Sequence, residues 1–89
     1  MRLDLFLKAS RLCPRRTVAQ KLCEEGLVMV GDKVAKPAHS VKPGDEITIS
    51  RRDRVTKVRV KATPESRQTS RKEAPALFEI LRDEPVDRD

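Results

Sequence analysis

At Gly26 the spacing of apolar residues changes from a helical period to a strand period, and this switch orders helices before strands along the chain. Upstream, Leu3, Phe6 and Leu7 stand at i, i+3 and i+4, which predicts a short amphipathic helix from Arg2 to about Ala9. Asp4 and Lys8 are spaced to pair on its wet side, an interaction worth only about 0.2–0.5 kcal/mol. Pro14 ends any continuous helix through Ser10 to Arg15. A second helix is predicted from Arg15 or Arg16, with Val18, Ala19, Leu22 and Cys23 as its apolar stripe. Gly26 accepts the positive φ that stops a helix just past Glu25.

Downstream, Val28 and Val30 alternate with Met29, and Gly31-Asp32 supplies a turn. Lys42-Pro43-Gly44-Asp45 is a second turn, with proline ahead of glycine. Ile47 and Ile49 mark one half-buried strand, and Val58 and Val60 another, after a turn around Arg51 to Arg54. The alternation stops near Thr63-Pro64, and Pro64 to Lys72 has no apolar residue, the pattern of a flexible linker. Beyond it, Ala74, Leu77, Phe78 and Leu81 are spaced for a short helix. The expected fold is α+β, two short helices packed on a small, mostly antiparallel sheet. Residues 1–61 are the expected domain, and residues 62–89 a linker with a short C-terminal helix or disordered tail.

Size and composition remove most function classes. Eighty-nine residues make one small domain with a modest core, leaving little room for a deep catalytic pocket. The longest apolar run, Leu27 to Val30, is far short of the ~20 residues of a membrane helix. Asp4 stands where a signal peptide needs apolar residues, so neither export nor membrane attachment is expected. Cys13 and Cys23 form no Cys-x-x-Cys pair, and the single His39 cannot complete a zinc site. They read as reduced thiols of a cytoplasmic protein, with no metal and no cofactor. No phosphate loop and no triad is present, so no enzyme is expected.

The charge says more. Lys and Arg number 20 against 14 Asp and Glu, a net charge of +6. Residues 1–61 carry +8 and residues 62–89 carry −2, so a polyanion site is expected on the body. Arg2, Lys8, Arg11, Arg15 and Arg16 cluster around two helix starts, where free N–H groups and the helix dipole favour phosphate. Arginine adds a planar fork for phosphate oxygens. Phe6 and Phe78 are the only aromatics, which leaves no platform for stacking unpaired bases. Structured RNA, read by shape and phosphate, is therefore preferred over a single strand. Duplex DNA is the rival, but Glu24 and Glu25 at the end of the second helix would be repelled by phosphates flanking a major groove. A basic protein–protein adaptor, with the tail helix docked in a partner's groove, is a further alternative.

Arg2-Leu3-Asp4, Ser10-Arg11, Arg16-x-x-Ala19-x-x-Leu22 and Gly26-x-Val28-x-Val30 together resemble the S-four domain, the alpha-L RNA-binding motif. Lys36-Pro37, Val41, Gly44-Asp45 and Ile47-x-Ile49 continue the pattern, so the likeness spans about residues 1–50. Where the family usually has Asn-Gly after the first strand, this chain has Gly31-Asp32. Both residues populate positive φ, so a turn is expected there still.

The resemblance implies two helices on a small curved sheet and binding to structured ribosomal or transfer RNA. It places Arg2 and Arg16 at the two helix starts, with Arg11 and Arg15 as further phosphate contacts. Asp4 is expected to position Arg2 or Lys8, to touch the RNA, or to be a plain exposed acid. Lys36, Arg51, Arg52 and Arg54 are weaker candidates, because turn-borne charges are often merely solvated. Two groups of small family members fit. One is a ribosome-associated quality control group; the other is a longer heat-shock-protein-fifteen group with a basic extension. The acidic tail and Ala76 to Leu81 resemble the first. Both imply the rRNA of the large ribosomal subunit and peptidyl-tRNA as partners after stalling. In the first, a monomer stabilises that tRNA in the P site while a partner factor recruits alanyl-tRNA for untemplated tailing.

Overall fold

The computed structural model of the protein describes residues 1–63 and 77–85. Two helices, α1 (Leu3–Ala9) and α2 (Arg16–Glu24), precede five strands: β1 (Val28–Val30), β2 (Lys33–Val34), β3 (Glu46–Ser50), β4 (Arg54–Val60) and β5 (Phe78–Pro85). The sheet runs in the order β2-β1-β3-β4-β5, and every pairing is antiparallel. The expected α+β architecture is the observed one.

The core forms where the helices meet the sheet. Leu3, Phe6 and Leu7 of α1 are fully buried with Val28, Ile47, Ile49 and Val58. Burial of side chains of this size stabilises by about 1.5–3 kcal/mol each, so a chain with so few of them depends on every one. The apolar stripe of α2 is narrower than its spacing predicts. Ala19 and Cys23 are buried and Leu22 packs at the margin, but Val18 is 37% exposed.

Gly26 ends α2 as expected. At φ 77° its N–H reaches the Cys23 carbonyl, while the Leu27 N–H reaches the Leu22 carbonyl, a complete Schellman close. Gly31-Asp32 does turn β1 into β2, with positive φ at Gly31 and not at Asp32. That sign pattern belongs to a type II′ hairpin, whereas Asn-Gly favours the type I′ form. Further on, the Asp45 N–H closes onto the Lys42 carbonyl at 3.1 Å, so the turn before β3 also stands.

The tail departs from expectation. Leu77 is buried, and Phe78 to Leu81 lie not in a helix but in β5, which pairs with β4 from Val60↔Phe78 to Arg54↔Pro85. The spacing of Leu77, Phe78 and Leu81 suits a helix, but a lone helix of that length is marginal in water. The β4 edge offers a ladder of unpaired backbone groups, and a bulge at Lys57/Val58 absorbs the extra residue. Tertiary pairing overrides the local period. Ala74 and the expected linker lie outside the described residues.

Candidate nucleic-acid interface

Asp4 is the centre of the helix surface and has no solvent exposure. Its Oδ1 accepts from Arg2 Nε at 3.1 Å and from the Leu5 N–H at 2.8 Å. Its Oδ2 accepts from Arg2 Nη2 at 3.2 Å, Arg16 Nε at 3.0 Å and Gln20 Nε2 at 3.0 Å. Five donors saturate the carboxylate. This corrects two expectations: Asp4 is neither an exposed helix acid paired with Lys8 nor available to touch RNA. The reason lies in packing, because α2 lies against α1 and presents Arg16 and Gln20, one helical turn apart, to the same carboxylate.

The electrostatics follow. Burial works against the Asp4 charge, but the bonds from Gln20, Arg2 and Arg16 outweigh it and lower its pKa from 3.8 to about 2. Asp4 is therefore charged at neutral pH and grips the inner edges of two arginine forks. Arg2 spends Nε and Nη2 on it, and Arg16 spends Nε. Both side chains remain open to solvent, at 45% and 40% exposure. Their remaining guanidinium donors suit the oxygens of a phosphate.

The start of α1 is not the open anion site its position suggests. The Leu3 N–H donates to the His39 carbonyl at 2.7 Å, the Asp4 N–H to the Pro37 carbonyl at 3.2 Å, and the Leu5 N–H to Asp4 itself. The donors that would draw phosphate there are taken, so the positive charge comes from side chains. These same bonds seat residues 37–39 on the head of α1, and exposed Lys36 sits beside them. Arg15 is the exposed N-cap of α2, and its side chain makes no capping hydrogen bond.

Lys8 is exposed near the end of α1 and is not among the partners of Asp4. Arg11 follows at φ 66°, the one non-glycine residue in the left-handed region among those described. Its N–H bonds to the Lys8 carbonyl, so it closes α1 where glycine is usual. Such strain, of order 1 kcal/mol, tends to collect at functional sites. Of the seven candidates, Arg2, Asp4 and Arg16 are therefore bonded into one cluster. Lys36 is set beside its α1 end, Arg15 beside Arg16, and Lys8 and Arg11 occupy the far end of α1. Gln20 is the member sequence reasoning missed; its signal was the i, i+4 spacing from Arg16.

Cys13 and Cys23 are both buried free thiols. Burial, with Cys13, Asp4 and Glu24 adding to it, pushes the Cys23 pKa up to about 11, and burial also raises that of Cys13. They behave as small apolar core residues. Among the described residues, no group of acidic, His and Cys side chains is arranged to hold a metal, and no helix is long and apolar enough to cross a membrane.

The S4 domain family matches residues 1–47, a span that contains all seven candidate residues. The RQC P-site tRNA stabilizing factor of Halalkalibacterium halodurans is 40% identical over 88 residues, covering 99% of this chain and 98% of that protein. The Bacillus subtilis protein of the same name is 38% identical over 86 residues, covering 97% and 98%. Among solved structures, trimeric Heat Shock Protein 15 of Vibrio cholerae superposes with a TM-score of 0.80 at 29% identity, covering 91% of this chain and 81% of that one. The solution structure of the hypothetical protein HP1423 gives 0.77 at 26% identity, covering the whole of both chains. A match over more than half the chain, joined to this identity along nearly its full length, means that the chain belongs to the S4 domain family, together with the RQC P-site tRNA stabilizing factors.

Proposed function

We propose that this protein is a non-enzymatic, cytoplasmic RNA-binding factor that acts on the large ribosomal subunit after translation stalls. In this reading residues 1–61 hold rRNA and peptidyl-tRNA, and the bound protein stabilises the tRNA in the P site while a separate factor brings alanyl-tRNA for untemplated tailing. It acts as a monomer. The observation that carries the reading is the Asp4 clamp: one buried carboxylate fixes Arg2 and Arg16 side by side, with Arg15 and Lys36 beside them and Lys8 at the far end of α1. A planar fork held rigid on its inner edge loses less freedom when it grips phosphate. The names of the full-length relatives support the same reading.

The likeness to Heat Shock Protein 15 favours a second reading, recycling of stalled large subunits. Full-length identity to the P-site factors supports the first more strongly. Cosedimentation of tagged protein with separated ribosomal subunits across a salt series, followed by RNA crosslink mapping, tests the proposal. Retention on large subunits should fall steeply with salt, at about 0.7–0.9 in log affinity per log salt for each phosphate neutralised. Crosslinks should fall at the P site. A flat titration would return the weight to a protein–protein adaptor.

A further inference from the structure

The turn between β3 and β4 reaches the helix surface through one side chain. Arg51 Nη2 donates to the Leu12 carbonyl at 2.6 Å, across 39 residues of sequence, and its positive charge works against the rise that burial imposes on the neighbouring Cys13 thiol. Leu12 and Cys13 are the middle of the loop that carries Arg11 and Arg15 and leads into Arg16. From within, the loop is held to α1 by the Cys13 N–H and the Ser10 hydroxyl, both on the Leu7 carbonyl. Arg51 ties it to the sheet. Its own turn is closed by its N–H on the Arg54 carbonyl at 2.8 Å, so the tie has a firm base.

The neighbours of Arg51 differ in what their charge is doing. Arg54 is committed to Asp83 at 2.8 Å. Arg52 is exposed and has no acidic partner among the described residues. Asp53 beside it carries the opposite charge, which limits the turn to about one net anion contact. The S4 match ends at residue 47, so this turn lies beyond the matched region.

We propose that the β3–β4 turn is a second arm of the RNA surface: Arg52 takes a phosphate of the RNA backbone next to those held on the helix side, and Arg51 is a positioning residue that pins the α1–α2 loop. The proposal rests on the RNA-binding reading above and adds a part of the fold to it.

The test is affinity for purified large subunits at several salt concentrations, for the unaltered protein, Arg16→Ala, Arg52→Ala, Arg15→Ala, Arg51→Ala, Arg51→Lys and Arg15→Ala/Arg51→Ala. Arg52→Ala should weaken binding roughly three- to tenfold, the size of one exposed charge-assisted contact. It should also reduce the salt slope by about 0.7–0.9, without moving the melting temperature. Arg51→Ala should weaken binding, and Arg51→Lys, which keeps a donor and the charge, should restore much of it. If Arg51 works by holding the loop, the loss caused by Arg15→Ala should shrink in the Arg51→Ala background. Arg52→Ala at full affinity and unchanged slope would overturn the arm, and strict additivity of Arg15→Ala and Arg51→Ala would overturn the positioning role. A flat salt titration of the unaltered protein, or no loss in Arg16→Ala, would instead overturn the RNA reading and this proposal with it.

Discussion

Along β3, β4 and β5, Lys57 and Arg59 meet Glu46, Arg59 also reaches Glu79, and Arg54 and Arg82 pair with Asp83 and Glu84. On the helix side Arg2 and Arg16 share Asp4, while Lys8, Arg15 and Lys36 have no acidic partner among the described residues. The sheet group sets four cations against four acids, and the helix group five against one. A count of Lys and Arg does not separate the two surfaces; the placement of the acids does. The sheet acids are themselves 37–60% exposed, so those pairs are screened and loosely held. Asp4 is buried and holds its partners in fixed geometry. One surface is neutralised, and the other holds most of its cations without a matching acid.

The sharpest way to break this contrast is Asp4→Ala. It removes an acceptor of five donors, which should cost about 2–4 kcal/mol, at the low end for a broken buried ion pair because both arginines can rehydrate. The midpoint of a urea titration reads it. The change also raises the net charge by one. If charge count governed the surface, RNA would bind tighter; if the held forks govern it, binding should weaken several-fold. Tighter binding would sink the clamp.

Next in size are Arg2→Ala and Arg16→Ala. Each should lose about 1.5–3 kcal/mol of RNA affinity, roughly ten- to hundredfold, read by cosedimentation at one fixed salt concentration. Viewed as exposed helix-start residues, they should hardly affect stability. Bonded to Asp4, each should instead cost about 1 kcal/mol in a melting experiment.

Acid should dissolve the clamp. The Asp4 pKa is lower folded, at about 2, than its ordinary 3.8, so the folded state binds fewer protons and the stabilisation is fully present above about pH 4. It is lost as pH falls through about 2, and amounts to about 2 kcal/mol. Stability measured from pH 5 to 2 should show this loss, and Asp4→Asn should lack that component. An identical slope in the variant would assign the acid sensitivity elsewhere.

The smallest effect sharpens the contrast from the other side. Lys57→Ala and Arg59→Ala remove cations already matched by Glu46 and Glu79, so RNA affinity should change less than about twofold. A loss as large as that of Arg16→Ala would make the sheet part of the interface.

The periodicity of Leu3, Phe6 and Leu7, the glycine after Glu25 and the alternation of Ile47 and Ile49 were enough to order the helices, the stop and the strands. Each rests on residues within a few positions of one another, where local geometry decides. The amino-terminal arginines were legible for the same reason, as a local cluster. What they do with one another was decided elsewhere. Asp4 looks like the local partner of Lys8, but packing gives it Arg16 and Gln20, 12 and 16 residues away. The α1 N–H groups look free until residues 37–39 fold over them. Phe78 to Leu81 carry a helical spacing and become a strand because β4 offers a ladder to pair with. Spacing reports which face a residue takes; which distant group meets it there is set by packing, because a buried donor or acceptor must find its partner wherever the fold brings one.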